Sequence, residues 1–465
     1  MKKLLLTVLI LTLSLAVLLI FTGCKEDGPL EPEDVDLDAM DPVERAELLA
    51  EASARRLAAA ESYEVQTDVK IKIRDIPIAK TTVTETVEGV GTKDYKRRAV
   101  SVIQISTGGA LDHQIINEGY CDGYIYIGRA SNLAANELKS PLSLEEYLLY
   151  LEKESDIPEA VPSVVESSKT ENGEWSITFS GFDRDYIDSI IDLIGVARFK
   201  DRINLSDISV TTCLDSGFYP KTVSVAFDSD GKADTDVKIE NITIEYRGIN
   251  SSKVDMPMLS SYREICDIFT LEQIIAEAGV DRELSSGKYI YDTYKRESYG
   301  VNSGTIREHS ELEYVIKDNG KIKFNVQNTK NGKSAYYFYS DNLLSEYTEK
   351  DGEIIANHRM NNDEALVKVT EPNILPPFSW ENVVDMQRGE GDGEYVLTLR
   401  MTESFVEYYT GMGIQGLESE PVYEMRVTLD NGEVVAYSIQ ASMDFPMRSF
   451  VISVAYELVA TSADI

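Results

Sequence analysis

Two hydrophobic periods alternate along the chain. From Asp41 to about residue 61 the apolar positions recur at helical spacing: Leu48, Leu49, Ala52 and the run Leu57-Ala58-Ala59-Ala60 share one face. Asp41 can cap this helix, with Pro42 at the first helical position and Glu44 at the third. The period then falls to two. Val65, Val69, Ile71 and Ile73 alternate with polar neighbours, as in a strand with one buried face. Further strands are predicted near 79–88, 95–107, 111–118 and 122–128, with Gly108-Gly109 and Asn-Gly or Asp-Gly turns between segments. Ser143, with Glu146 three residues on, opens a second helix. Residues 175–180 read as a strand and 183–193 as a helix carrying Tyr186, Ile187, Ile190 and Ile191 on one side. Strands near 207–215, 219–228 and 237–247 close this half.

The second half retraces the first. Glu394-Tyr395-Val396-Leu397-Thr398-Leu399 answers Glu174-Trp175-Ser176-Ile177-Thr178-Phe179 at a spacing of 220, each after a glycine turn. Val383-Val384-Asp385 answers Val164-Val165-Glu166 at 219, and Leu429-Asp430-Asn431-Gly432 answers Leu214-Asp215-Ser216-Gly217 at 215. Ile452-Ser453-Val454-Ala455-Tyr456 answers Ile242-Thr243-Ile244-Glu245-Tyr246 at 210. The pairs keep their order, and the drift in spacing fits loop changes on one scaffold. Residues 286–297, 305–316, 319–328, 332–340 and 343–356 read as strands and hairpins, and Thr270-Leu-Glu-Gln-Ile-Ile-Ala-Glu-Ala as a helix entering the second copy.

The N-terminus has a different pattern. Lys2 and Lys3 precede an apolar run, Leu4 to Phe21, and then Thr22-Gly23-Cys24. These are the parts of a secretory signal, although an apolar run of about 18 residues also fits a membrane-spanning anchor. Phe21-Thr22-Gly23-Cys24 resembles the lipobox of bacterial lipoproteins. The resemblance implies that residues 1–23 are removed and that Cys24 is lipidated, holding the protein to the membrane through its acyl chains. Residues 24–41 form an acidic tether bearing Pro29 and Pro32. The domains then expected are 42–255 and 256–465.

An antiparallel sheet this long, with so few helices, must cover one face. The element order, behind an exported and lipidated start, resembles the LolA-like and LppX-like lipoproteins. That resemblance implies an α+β fold of two similar domains. Each would be a strongly curved antiparallel sheet, a half-open barrel, with a few helices on its concave face over an apolar cavity.

Composition narrows the function. The chain has 465 residues, a formal net charge of -35 and 43% hydrophobic residues, too apolar for a disordered acidic chain. The acidity argues against nucleic-acid binding. Removing Lys2 and Lys3 with the signal makes the exported part still more acidic. Cys121, Cys213 and Cys266 show no C-x-x-C; they read as core thiols, with one long-range disulfide as the alternative. His113, His309 and His358 lack ligand spacing. The run Asp228 to Asp236 has its glycine at the fourth position, where a calcium loop needs it at the sixth. Asp183 with Asp185, and Glu418 with Glu420, read as solvated acids in a chain holding 80 of them. No G-x-S-x-G or phosphate loop occurs. Tyr120, Tyr124, Tyr126, Tyr336, Tyr337 and Tyr339 lie in strands, where tyrosine packs a sheet or lines a groove.

The expected function is therefore a lipid-anchored, extracytoplasmic binding or carrier protein for an apolar ligand such as a lipid. It is non-enzymatic and takes no cofactor or metal. The alternative is a structural or protein-interaction lipoprotein of the cell envelope without a ligand cavity. A third reading, an extracytoplasmic hydrolase, needs a cleft of converging acids.

Overall fold

The computed structural model describes residues 31–461 apart from 74–75, 108–109, 132–134, 155–161, 171, 185, 188–204, 230–236, 241, 280–285, 317–320, 349–351, 362–363, 366–374 and 419–420. Cys24 and the predicted signal lie outside the described residues. The chain divides into two compact units between Glu264 and Ile265.

The first unit opens with helix α1 (Pro42–Ala58), whose first turn is capped by Asp41 accepting from the Val43 N–H at 2.9 Å. The bond reaches the second helical position, so Glu44 is not needed for it. Strands β1 (Ser62–Ile73), β2 (Ile76–Glu88), β3 (Lys96–Thr107), β4 (Ala110–Cys121), β5 (Tyr124–Ser131) and β6 (Ala135–Pro141) follow as a meander. Helix α2 (Leu144–Glu154) starts at the Ser143–Glu146 capping box, with both reciprocal bonds formed at 3.0 and 3.2 Å. Then come β7 (Val164–Lys169), β8 (Trp175–Ser180), β9 (Leu205–Leu214), β10 (Pro220–Ser229), β11 (Val237–Ile239), β12 (Ile242–Arg247) and the two-residue β13 (Arg263–Glu264).

The second unit holds helix α3 (Ile268–Glu277), capped by Asp267, and β14 (Gly287–Tyr299), β15 (Asn302–Ile316), β16 (Ile322–Lys330), β17 (Lys333–Ser340), β18 (Leu343–Tyr347) and β19 (Ile354–Arg359). After these come β20 (Val383–Arg388), β21 (Glu394–Arg400), helix α4 (Glu403–Thr410), β22 (Val422–Asp430), β23 (Glu433–Phe445) and β24 (Arg448–Ala460).

Both sheets are built in one order. The first runs β13-β6-β5-β4-β3-β2-β1-β12-β10-β9-β8-β7, with β11 beside β1. The second runs β19-β18-β17-β16-β15-β14-β24-β23-β22-β21-β20. Each has the first six strands of its unit as a meander, then a late strand (β12 or β24) beside the first, then the remainder in reverse. Among the described residues the second has no counterpart of β11 or β13. Every pairing is antiparallel except β13 with β6.

The half-open barrels expected from the sequence are overturned. Each sheet is an open layer running from one edge strand to another and does not close on itself. Curling a sheet needs staggered registers, with bulges or glycine corners repeated from strand to strand. Register shifts occur in β1–β2, β9–β10, β14–β24, β18–β19, β20–β21 and β22–β23, while β2–β3, β3–β4, β14–β15, β15–β16 and β16–β17 run without one, so the bulges do not repeat from strand to strand. Helix α1 packs against β7 and β8, at one end of the first sheet, and its Arg56 donates to the Gly217 carbonyl in the β9–β10 turn.

The cores are the apolar faces of these layers. In the first unit Val83, Val87, Ile177, Phe179, Val210 and Val223 are buried, as are Leu49 and Ala52 of α1. In the second unit the buried set includes Leu271 and Ile274 of α3, Trp380, Leu397, Met425 and Ile439. Phe405 of α4 stacks on Tyr423 with ring centroids 4.3 Å apart.

Candidate functional site

The pairing registers let one sheet be laid on the other. Take Ile244 and Val454 as equivalent, from the spacing of 210. Ile244 faces Val223, then Thr212, Ile177 and Ser167 across successive strands. Val454 faces Ile439, then Met425, Leu397 and Met386. The ladders thus pair Ile177 with Leu397 and Ser167 with Met386, the same pairs that the spacings of 220 and 219 give. Hydrogen-bond registers and sequence agree at β7 and β8, whereas at β9 the ladder offset of 213 differs by two residues from the spacing of 215 between the Leu214 and Leu429 turns.

Stepping the other way reaches a difference inside the core. Val65, Glu85, Ala99 and Glu118 stand where the second sheet has Tyr291, Ser310, Asn328 and Ala335. Val87, Arg97 and Tyr120 stand where it has Leu312, Val326 and Tyr337. Only the first unit therefore has a buried ion pair at these positions. Arg97 grips Glu85 through two bonds of 3.0 and 3.1 Å, both side chains being 4% exposed. Its third bond, 2.9 Å, goes to the Tyr147 hydroxyl of α2. Burial pushes that hydroxyl up to about 12, and its ring stacks on Tyr120 at 4.7 Å. Glu118 is buried as well. Protein acceptors occupy the guanidinium, so the cluster pins α2 to the sheet.

The outer faces differ in a second way. In the first unit a segment, residues 250–264, extended apart from a 3-10 turn at Leu259–Ser261, crosses the outer face from β1 to β6. Asn250 N–H donates to the Ser62 carbonyl at 2.7 Å. The Val254 N–H donates to a Glu88 carboxylate oxygen at 3.1 Å, and the Arg98 guanidinium donates to the Asp255 carbonyl. Farther on, Asn117 donates to the Tyr262 hydroxyl at 3.3 Å, and the Tyr262 ring meets Tyr126 edge-on at 5.6 Å. Gly128 makes room here: a Cβ on it would lie 3.0 Å from the Tyr262 hydroxyl. The segment ends by adding β13 parallel to β6, with Arg263 beside Leu138 and Glu264 beside Lys139.

In the second unit the same face carries a groove of about 270 Å³, lined by Glu311, Glu313, Gln327, Tyr336, Phe338 and Tyr347, among others. By register, Thr86, Arg98, Gly119, Tyr126 and Lys139 correspond to Glu311, Gln327, Tyr336, Tyr347 and Ile354. Glu88 and Lys96 correspond to Glu313 and Asn325. The groove thus lies where the first unit seats its own segment. Lys288 pairs with Glu313 at 2.7 Å, and His309 bridges Asp292 at 2.7 Å and Glu311 at 3.2 Å. These contacts raise the His309 pKa, the Asp292 bond contributing most.

The residues singled out in the sequence fall apart in space. Cys121 is buried, Cys213 and Cys266 are half-buried, and all three are free thiols. Burial raises the Cys121 and Cys266 thiols to about 11, which keeps them protonated and inert. His113 and His358 are half-buried on different units. Asp183 accepts from the Tyr186 N–H at 2.8 Å as a local cap. Asp185 and Glu420, and most of the run from Asp228 to Asp236, lie outside the described residues. Among the described residues no cluster of potential metal ligands occurs, and no helix is long and apolar enough to cross a membrane. Tyr120, Tyr126 and Tyr339 are core residues, whereas Tyr336 lines the groove. Sequence reasoning missed Glu85, Arg97 and Tyr347. The signal for Glu85 was its place between Val83 and Val87 in a period of two.

No family model matches this chain, and no curated protein matches it. Among solved structures it is similar to LprF from Mycobacterium bovis, at 12% identity over 47% of this chain and 99% of that one, with a TM-score of 0.26. It is also similar to the MucA/MucB complex of Pseudomonas aeruginosa, at 9% identity over 87% and 92%, with a TM-score of 0.22. TM-scores this low transfer none of either protein's properties to this chain.

Proposed function

We propose that this chain is a lipid-anchored, extracytoplasmic protein of the cell envelope that binds other polypeptides on the outer faces of its sheets and catalyses no reaction. In this reading Cys24 carries the acyl chains, and the two units are copies of one plan. One observation carries it: the first sheet already holds a segment, residues 250–264, through backbone bonds, an aromatic contact and an added strand. Edge addition of this kind is a general mode of peptide recognition. A lipid carrier would need an enclosed apolar chamber, whereas the groove on the second sheet is open and mixes carboxylates with aromatic rings.

Native mass spectrometry of the full chain, extracted gently in detergent, tests this reading. The expected spectrum shows only the mass of the acylated protein and its protein complexes. A stoichiometric lipid, bound beyond the acyl chains, would return the protein to the carriers.

A further inference from the structure

We propose that the groove over β15–β18 and the free edge of β19 form a docking site for an extended, positively charged segment of another protein, which adds a strand parallel to β19. The inference rests on the polypeptide-binding reading above and supplies its site and partner chemistry. The first unit provides the template. There the corresponding face is filled by the chain's own segment, and β6 is extended by β13. In the second unit β19, which occupies the β6 position, is an edge strand with no strand added among the described residues. Its Ile354 and Ile355 are 53% and 57% exposed. Unpaired strand edges template such additions, and proteins otherwise cover or blunt them.

The change in side chains names the partner's charge. On the first sheet the segment meets Glu88, Arg98 and Lys139, with Lys96 paired beside Glu88 in the sheet. The corresponding positions of the second sheet are Glu313, Asn325, Gln327 and Ile354, and Thr86 has become Glu311. The three cations have gone and Glu311 and Asp292 have been added, while Ser62 and Thr84 have become Lys288 and His309. Lys288 and His309 pair with these acids, but the pairs are solvent-exposed and yield readily to an incoming Lys or Arg. Tyr336 and Tyr347 line the same groove and can receive a cation on the ring, as Phe338 already does from Lys323 at 5.9 Å. Where Tyr126 lies across Gly119, the second sheet has Tyr347 beside Tyr336. The ring that fills the first sheet's surface is therefore held off, and the groove stays open.

The probe is a fluorescent peptide of residues 254–265 carrying Asp255→Lys and Glu264→Lys, titrated into the full chain in detergent. Fluorescence anisotropy should show saturable binding that weakens with added salt. Glu311→Gln and Glu313→Gln should each weaken it about threefold, as for exposed charge pairs, and Gln327→Arg, which restores the first unit's cation, by more. The unsubstituted acidic peptide should bind at least about threefold less tightly on the same footing. Binding that ignores all three groove substitutions, or no saturation, would overturn the site. If a partner protein is nevertheless crosslinked to the first sheet, the polypeptide-binding reading survives and this site alone fails. Stoichiometric lipid in the native spectrum would instead remove both.

Discussion

The two units share a strand order but not a centre. At matching register positions the first sheet buries Glu85, Arg97 and Glu118, and the second has Ser310, Val326 and Ala335. The second shows that this layer needs no internal charge. Burying an ion pair costs desolvation that its attraction barely offsets, so the pair in the first unit is better understood through its geometry. Arg97 is fixed by two bonds to Glu85 and spends a third on Tyr147, so it locates α2 at one place on the sheet. The outer faces differ in the opposite sense. The first is filled by the chain itself and the second is left as a groove.

The largest effect should come from breaking the pair. Arg97→Leu leaves Glu85 buried without its cation and should destabilise the first unit by about 3–5 kcal/mol. Copying the second unit, with Glu85→Ser and Arg97→Val together, should recover most of that loss. The chain has two tryptophans, Trp175 in the first unit and Trp380 in the second, so fluorescence in denaturant can follow each unit separately. The Trp380 transition should not move. If the double variant is no more stable than Arg97→Leu, the register equivalence has been misread.

Core truncations come next. Leu49→Ala on α1 and Leu271→Ala on α3 remove fully buried side chains and should cost about 2–5 kcal/mol each. Each loss should appear only at the tryptophan of its own unit, and a shift at both would show that the units unfold together. Smaller again are the caps. Asp41→Ala removes one N-terminal bond from α1 and Asp267→Ala two from α3, and each should cost about 1 kcal/mol.

The smallest effect should belong to His309. Its folded pKa is raised by Asp292 and Glu311, so its contribution is fully present below the unfolded value of about 6.5. That contribution is lost as pH rises through the higher folded value. His309→Gln should therefore narrow the stability gap between mildly acidic and alkaline solution, measured at Trp380. A gap unchanged by the substitution would mean that the exposed pairs contribute nothing.

Much of the architecture was legible because it follows from local chemistry. Asp41, Ser143 and Glu146 announce helix starts through their own hydrogen bonds, and the period of two in β1 marks its buried face. Three of the four repeated segments fell on matching sheet positions because both halves need the same buried alternation, and the turns at Leu214 and Leu429 differ by two residues in register. Curvature was not legible, since it depends on register stagger between strands that no single segment encodes. The added strand β13 was missed because two residues, Arg263 and Glu264, carry no periodicity. The groove was missed for a related reason. Glu311, Gln327, Tyr336 and Tyr347 come from four strands, and only the ladders bring them into one row.

The central claim is that the β6 edge is filled and the equivalent β19 edge is open to a basic segment. Amide hydrogen exchange on the full chain, with and without the lysine-substituted peptide, measures both edges at once. Slow exchange at the β6 amides that face β13, fast exchange at the alternate amides of Ile354–Arg359 that face away from β18, and slowing of the latter alone on adding peptide is the predicted result. A β19 edge already protected in the free chain, or indifferent to the peptide while it is bound, would contradict it.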